Sequence, residues 1–345
     1  MLGKRIVSVL LLGGLVSVSA PSLAAPRLAA PVPPFAERCK NAGERGQNPQ
    51  GPALWGLQAA GPSGELATKP LVQHVELRSA ASELGPATTL QFRDGRLTTG
   101  RRTNAASDAG STDPLVGAVL MGVAPDGARV PLAICAASPS PMNPSVQLYN
   151  VQYFNKAKLA WQNICGVSND KDNKPLSGTE GPQLAVAVSG RWRLDGAREE
   201  ARGAFTFACE TGAIAKCAVW GYVPGQSRGG RSLTDYHEAC TRMARADYCG
   251  NGQPHTTAGV TIDLYDDLGV QKPSRMSNVL FEAAWSPDGA YCLSRARKDQ
   301  PLDPILKECP ERFAPNTRTD LGDGDTCTLK AKGAGRPLLR NGFLK

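Results

Sequence analysis

The sequence predicts an α+β protein: a β-rich N-terminal part, then a disulfide-stapled α+β domain with two short-to-medium helices and antiparallel strands. Three observations predict it. The first half consists of short apolar or alternating runs separated by turn pairs such as Asp94-Gly95 and Asp126-Gly127. Two later stretches, 213–220 and 232–249, carry helix start and stop signals. Ten cysteines, an even number, are spread along the chain without a C-x-x-C pair, which suits cross-links better than a zinc ribbon or thioredoxin chemistry.

From the N-terminus, Lys4 and Arg5 precede an apolar run over 6–20 and an A-x-A-like Ser22-Leu23-Ala24. Residues 1–24 therefore read as a secretory signal peptide cleaved after Ala24. The run stops at Pro21, short of the ~20 residues a membrane span needs, so the cleaved chain is not expected to cross a membrane. The predicted location is periplasmic or extracellular, and all of Cys39, Cys135, Cys165, Cys209, Cys217, Cys240, Cys249, Cys292, Cys309 and Cys327 are expected to form disulfides there. The formal net charge is +8, of which Lys4 and Arg5 leave with the signal peptide. The remaining excess is too dilute to predict nucleic-acid binding, which needs basic side chains gathered on one face.

Residues 25–38 are Ala- and Pro-rich and read as an extended leader, and 39–136 as a small β-rich domain with strands near 71–77, 89–92 and 116–123 and a polar loop at 101–112. A Ser- and Pro-rich connection at 137–144 reads as the boundary to a second domain, 145–310. Its strands are expected at 147–154, 161–165, 184–194 with Trp192, and 205–207. The loop at 168–177 carries Asp170 and Asp172 but lacks the other ligands of a calcium loop. Thr211-Gly212 opens a short helix at 213–220 that Gly221 closes; too short to stand alone, it needs packing or a bridge, and Cys217 to Cys240 is the simplest staple.

The second helix has the strongest signals. Ser232 and Asp235 form a weak capping box, and Leu233, Tyr236, Cys240, Met243 and Ala244 recur at helical spacing. Glu238 and Arg242 form an i,i+4 pair, and Gly250-Asn251-Gly252 should end the helix near Tyr248 or Cys249. Strands follow at 260–265 and 279–285, with Ser286-Pro287-Asp288-Gly289 turning into 290–293. One A-W-S-P-D-G copy does not make a propeller. Asp320, Asp323 and Asp325 fall in a Gly-rich turn, and the basic segment 311–345 reads as a solvated, frayed terminus or as a contact to an anionic envelope surface.

Ala246-Asp247-Tyr248-Cys249 follows Ala239-Cys240-Thr241-Arg242-Met243 and precedes Gly250, His255 and Thr256. Phe205-Thr206-Phe207-Ala208-Cys209, Ala215-Lys216-Cys217, Trp220-Gly221-Tyr222, Ile262-Asp263-Leu264 and Phe281-Glu282-Ala283 through Trp285, Gly289, Ala290 and Cys292 flank them in order. Over roughly 148–297 the chain resembles the ADYC-domain family, secreted or envelope proteins found largely in myxobacteria and similar soil bacteria. The resemblance implies an exported protein and carries no reaction with it.

His255, Asp247 and His237 are the candidate catalytic residues. With Cys249, or with Ser232 or Thr256 as hydroxyl, they could be written as a nucleophilic site, although a disulfide would remove the thiol. His237-Glu238 begins an H-E-x-x-H motif that Thr241 breaks; His237, His255 and Asp263 could still meet at a metal in space. The competing reading makes Asp247 and His255 turn-forming groups whose loss leaves backbone amides unpaired. No G-x-S-x-G, Walker or dinucleotide fingerprint occurs. The sequence thus favours a non-enzymatic binding or structural module of the cell envelope, with no metal or cofactor and an envelope surface or extracellular ligand as partner. The alternative is a secreted hydrolase using His255 and Asp247, with or without a metal.

Overall fold

A computed structural model describes residues 34–40, 53–56, 70–77, 81–82, 90–99, 113–165, 184–257, 259–274 and 278–345. The expected signal peptide with its Ala24 site, most of the leader, and the loops at 101–112 and 168–177 with Asp170 and Asp172 lie outside the described residues.

Six strands form a closed antiparallel barrel: β1 (His74–Glu76), β2 (Ala118–Val123), β3 (Arg129–Pro139), β4 (Gln147–Asn155), β5 (Ala185–Ser189) and β6 (Ala204–Cys209). Each strand pairs with its neighbours in the chain, and β6 returns to β1, so the sheet has no open edge there. Val75 makes the closure, lying opposite Gly122 on one side and Phe205 on the other. Alternation decides the inside: Leu120, Leu132 and Ile134 join the barrel core while Val119 and Ala133 face an outer cluster with Trp161. The pairing of β3 with β4 skips Cys135, and this bulge residue bonds Cys39 at the end of α1 (Phe35–Cys39).

The closure was not legible in the sequence, where 39–136 and 145–310 read as separate domains. Strands from both stretches share one barrel, and 140–146 is the turn between β3 and β4. Its Ser and Pro residues form a hairpin connection: Ser140 N donates to Val146 O and Val146 N to Asn143 O.

Past the barrel, α2 (Ala213–Val219) and α3 (Thr234–Arg245) pack together, joined by the Cys217–Cys240 disulfide. Ala213, Ile214, Ala215 and Ala218 of α2 complete the barrel core, while Cys217 joins Tyr236, Cys240 and Met243 in a second core. That core lies under an antiparallel sheet in the order β7-β12-β8-β9-β11-β10: β7 (Ile262–Asp266), β8 (Val279–Ser286), β9 (Gly289–Leu293), β10 (Phe313–Ala314), β11 (Leu329–Ala331) and β12 (Leu339–Leu344). The short α4 (Asp303–Glu308) follows β9.

Two expectations are corrected here. The C-terminal segment is not frayed: β12 is an interior strand, with Leu339, Asn341 and Phe343 buried, and Arg340 lies within reach of Asp323 and Asp325. Its inward positions 339, 341 and 343 hold Leu, Asn and Phe, so neither an apolar alternation nor the basic composition marks the strand in the sequence. The α3 boundaries also differ. Ser232 closes a hairpin with Ser227 and its hydroxyl accepts from Thr234 N, so the helix begins at Thr234 without a side-chain cap. At the far end Ala246 adopts φ 53° and stops the helix before Asp247.

Candidate functional site

Ala246 to Cys249 follow the last turn of α3 directly. Ala246 N donates to Met243 O and Asp247 N to Arg242 O, the double bond pattern that closes a helix through one left-handed residue. Glycine usually takes that position. Here alanine accepts a cost of about 1 kcal/mol and keeps its methyl in the second core.

Asp247 is fully buried and bonds two ways. Arg242 Nη1 donates to its Oδ2 at 2.6 Å and Gly252 N donates to the same oxygen at 3.0 Å, folding the Gly-Asn-Gly turn back onto the helix. Arg242 also donates to Pro287 O and Asp195 O, tying α3 to the β8–β9 turn and to the hairpin beyond β5. Arg245 reaches Gly252 O at 2.5 Å.

Tyr248 stacks on Trp285 at 5.3 Å between centroids and points its hydroxyl at Glu282, 2.9 Å from Oε1. Glu282 is skipped in the pairing of β8 with β12, a bulge that turns a carboxylate into the core. Arg297 meets it there with Nε 2.9 Å from Oε2 and Nη2 3.0 Å from Oε1, both side chains wholly buried. The guanidinium also donates to Met243 O and Ala244 O at the α3 C-terminus, and Arg297 N donates to the Tyr248 hydroxyl. Asn341 of β12 donates to Glu282 Oε2 and accepts from the Trp285 indole. Burial, and then the Glu282 charge, push the Tyr248 hydroxyl well above its usual pKa, so it remains a donor.

Cys249 bonds Cys309 at the end of α4, and Gly250 follows at φ 72°. A β-carbon on Gly250 would lie 1.8 Å from Asp288 O, and one on Gly289 would lie 2.7 Å from Gly250 N. Two backbones touch at this point, and only glycine fits on either side.

The structure does not bring the candidate catalytic residues together. His255 Nε2 lies 3.1 Å from Glu308 Oε2 near the surface, Asp247 belongs to Arg242, and Cys249 is a disulfide. His237 is buried on the other side of α3, against the Trp192 ring, with Nε2 3.0 Å from Ile214 O. Asp263 Oδ1 accepts from Ser274 N. Among the described residues no group of three His, Cys, Asp or Glu side chains is arranged to hold a metal. Asp320 Oδ1 accepts from Gly322 N, and Asp325 accepts from the Tyr265 hydroxyl at 2.6 Å.

Burial draws the His237 imidazole down from 6.5 to about 3, only partly offset by its bond to Ile214 O. The unfolded chain therefore binds a proton that the folded chain refuses between those two values. Stability is full above pH 6.5 and falls as pH drops toward 3, with a slope from this group of up to about 1.4 kcal/mol per pH unit. Urea midpoints of the wild type and His237→Gln, measured from pH 7 to 4, should converge as the pH falls; parallel curves would show that His237 is not the titrating group.

A family model of the ADYC domain matches residues 112–299, more than half of the chain. The chain belongs to the ADYC-domain family. No curated protein and no solved structure matches it. The ADYC domain starts at 112 rather than 148, taking in β2 and β3 as well. It ends at 299, just past Arg297, yet Asn341 and Cys309 complete its buried contacts from outside that span.

Glu282 and Arg297 belong to no motif that assigns them a role in the sequence. The usable signal was the single carboxylate in V-L-F-E-A-A-W: an acid within a strand apolar on both faces must be paired when buried. Its partner could not be named, because Arg297 is one of many basic residues and lies in a short 3-10 turn.

Proposed function

We propose that this ADYC protein is an exported binding or structural module of the cell envelope, without a catalytic centre at the ADYC motif. One observation supports this most: Asp247, His237, His255 and Cys249 each have a separate partner, in Arg242, Ile214 O, Glu308 and Cys309. A hydrolytic site needs a nucleophile, a base and an orienting group within mutual reach, with an open position for the reacting atom. Here the acid is closed off by Arg242 and the Gly252 amide, and the half-buried His255 imidazole is oriented by a carboxylate on a different element.

Five disulfides and no free cysteine support export, since such bonds persist in oxidising compartments. No helix among the described residues is long and apolar enough to cross a membrane.

The test is turnover of an ester, peptide and glycoside panel by the disulfide-intact protein and by His255→Ala. No turnover above buffer is expected from either, with the variant unfolding within about 1–2 kcal/mol of wild type, because His255 makes one side-chain hydrogen bond, to Glu308. Hydrolysis by wild type that His255→Ala abolishes while folding is intact would establish the alternative, a hydrolase using His255 and Asp247.

A further inference from the structure

A cleft of about 420 Å³ opens between the β3–β4 turn, the C-terminus of α2 and the turn after β7, away from the ADYC motif. The chain has five tryptophans. Trp55, Trp161, Trp192 and Trp285 are buried, whereas Trp220, the residue that ends α2, is only half-buried and lines this cleft. An indole left partly in water beside a preformed cavity can serve as a stacking face for a ligand.

The walls are fixed before any ligand arrives. Gln271 Nε2 donates to Trp220 O at 2.6 Å and Gln226 Nε2 to Asp94 O at 2.9 Å, so the backbone fixes each side-chain amide and leaves it one N–H and its carbonyl oxygen. The hairpin Ser227–Arg228 and Arg231–Ser232 turns through Gly229 and Gly230, both at positive φ. It is held by Arg228 Nε on Leu268 O at 3.1 Å and Arg231 on Asp267 at 2.6 Å. Arg228 retains its two terminal nitrogens. Among the described lining residues this guanidinium is the one formal charge, and no carboxylate opposes it.

We propose that this cleft binds an acidic saccharide, a pyranose ring carrying a carboxylate. A flat indole suits the C–H face of a sugar ring, whose weakly positive hydrogens meet the negative face of the π system. The two amide oxygens accept from ring hydroxyls. The Arg228 terminal nitrogens match a carboxylate in a two-pronged pair, and a single cation with no counter-acid suits a monoanion. Trp220 ends α2 and Arg228 stands on the hairpin, so the two anchors come from different elements, and the fixed backbone bonds reduce the ordering cost of binding. This inference deepens the binding-module reading above and rests on it.

The experiment titrates the disulfide-intact protein with digalacturonic acid, with the neutral disaccharide of the same linkage, and with an acidic dipeptide, by calorimetry and by emission of the half-exposed Trp220. Saturable binding of the diuronate is expected, at least about tenfold tighter than the neutral sugar, and Arg228→Gln should remove that difference. Arg228 is exposed, so the variant should keep its five disulfides and unfolding midpoint; Trp220→Leu should lose the emission change and about tenfold in affinity. Absence of saturable diuronate binding by folded wild type, equal affinity for the neutral sugar, preference for the dipeptide, or unchanged affinity in Arg228→Gln would overturn the assignment. Recovery of the sugar separates the two readings: a diuronate bound and returned intact supports both, whereas a cleaved one supports the cleft and refutes the non-catalytic module.

Discussion

Deleting residues 337–345 is expected to prevent folding of the second sheet rather than trim a tail. The deletion removes β12, which lies between β7 and β8 and is the only partner of β7 among the described residues. Leu339 and Phe343 lose their place in the interior, each worth about 1.5–3 kcal/mol of burial. Asn341 also leaves, so the Trp285 indole and Glu282 Oε2 each lose a partner in a dry core, at about 1–3 kcal/mol apiece. Together these approach the 5–15 kcal/mol by which a domain is normally stable. The expected readout is loss of soluble exported protein, or a purified product with lost near-ultraviolet dichroism and scrambled Cys292–Cys327 and Cys249–Cys309 pairing. A truncated protein with an unchanged unfolding midpoint would show that β12 is dispensable.

Arg297→Met should destabilise the folded chain by about 3–5 kcal/mol, the cost of leaving a buried carboxylate without its cation. The loss exceeds that of one hydrogen bond because Arg297 also supplies donors to the final carbonyls of α3 and to Thr256. Adding Glu282→Leu to Arg297→Met should recover a large part of the loss, since a pair of apolar side chains needs no partner. Tyr248→Phe should cost less, about 1–2 kcal/mol, because Glu282 keeps Arg297 and Asn341. Chemical denaturation of wild type, the single variants Arg297→Met and Glu282→Leu and their double variant gives the coupling energy directly. A double variant no better than Arg297→Met alone would mean that the charge pair itself is not the source of the effect.

Both predictions show what the ADYC motif does for the fold. Each side chain ties α3 to a different element: Asp247 through Arg242 to the β8–β9 turn, Tyr248 to the bulge in β8, and Cys249 to α4. Gly250 then lets the two turns touch. Removing any one of them frees part of the second sheet from the helix.

Local chemistry in the sequence determined a good deal. The apolar or alternating runs of β2, β4, β6 and β8, the glycine that closes α2, the apolar stripe of α3 and the even cysteine count are short-range patterns, and they gave strands, α2, α3 and a cross-linked chain, but not the short helices α1 and α4. The Cys217–Cys240 pair was accessible for the same reason, because two neighbouring short helices have few ways to be stapled. Barrel closure was decided only by the tertiary structure. It depends on three residues of β1 finding β6 far along the chain, and nothing within β1 encodes that register. The end of α3 one turn early, the burial of the basic C-terminal strand and the meeting of Glu282 with Arg297 share this origin. Each depends on free energies of burial and pairing that exist only once distant segments have excluded water between them.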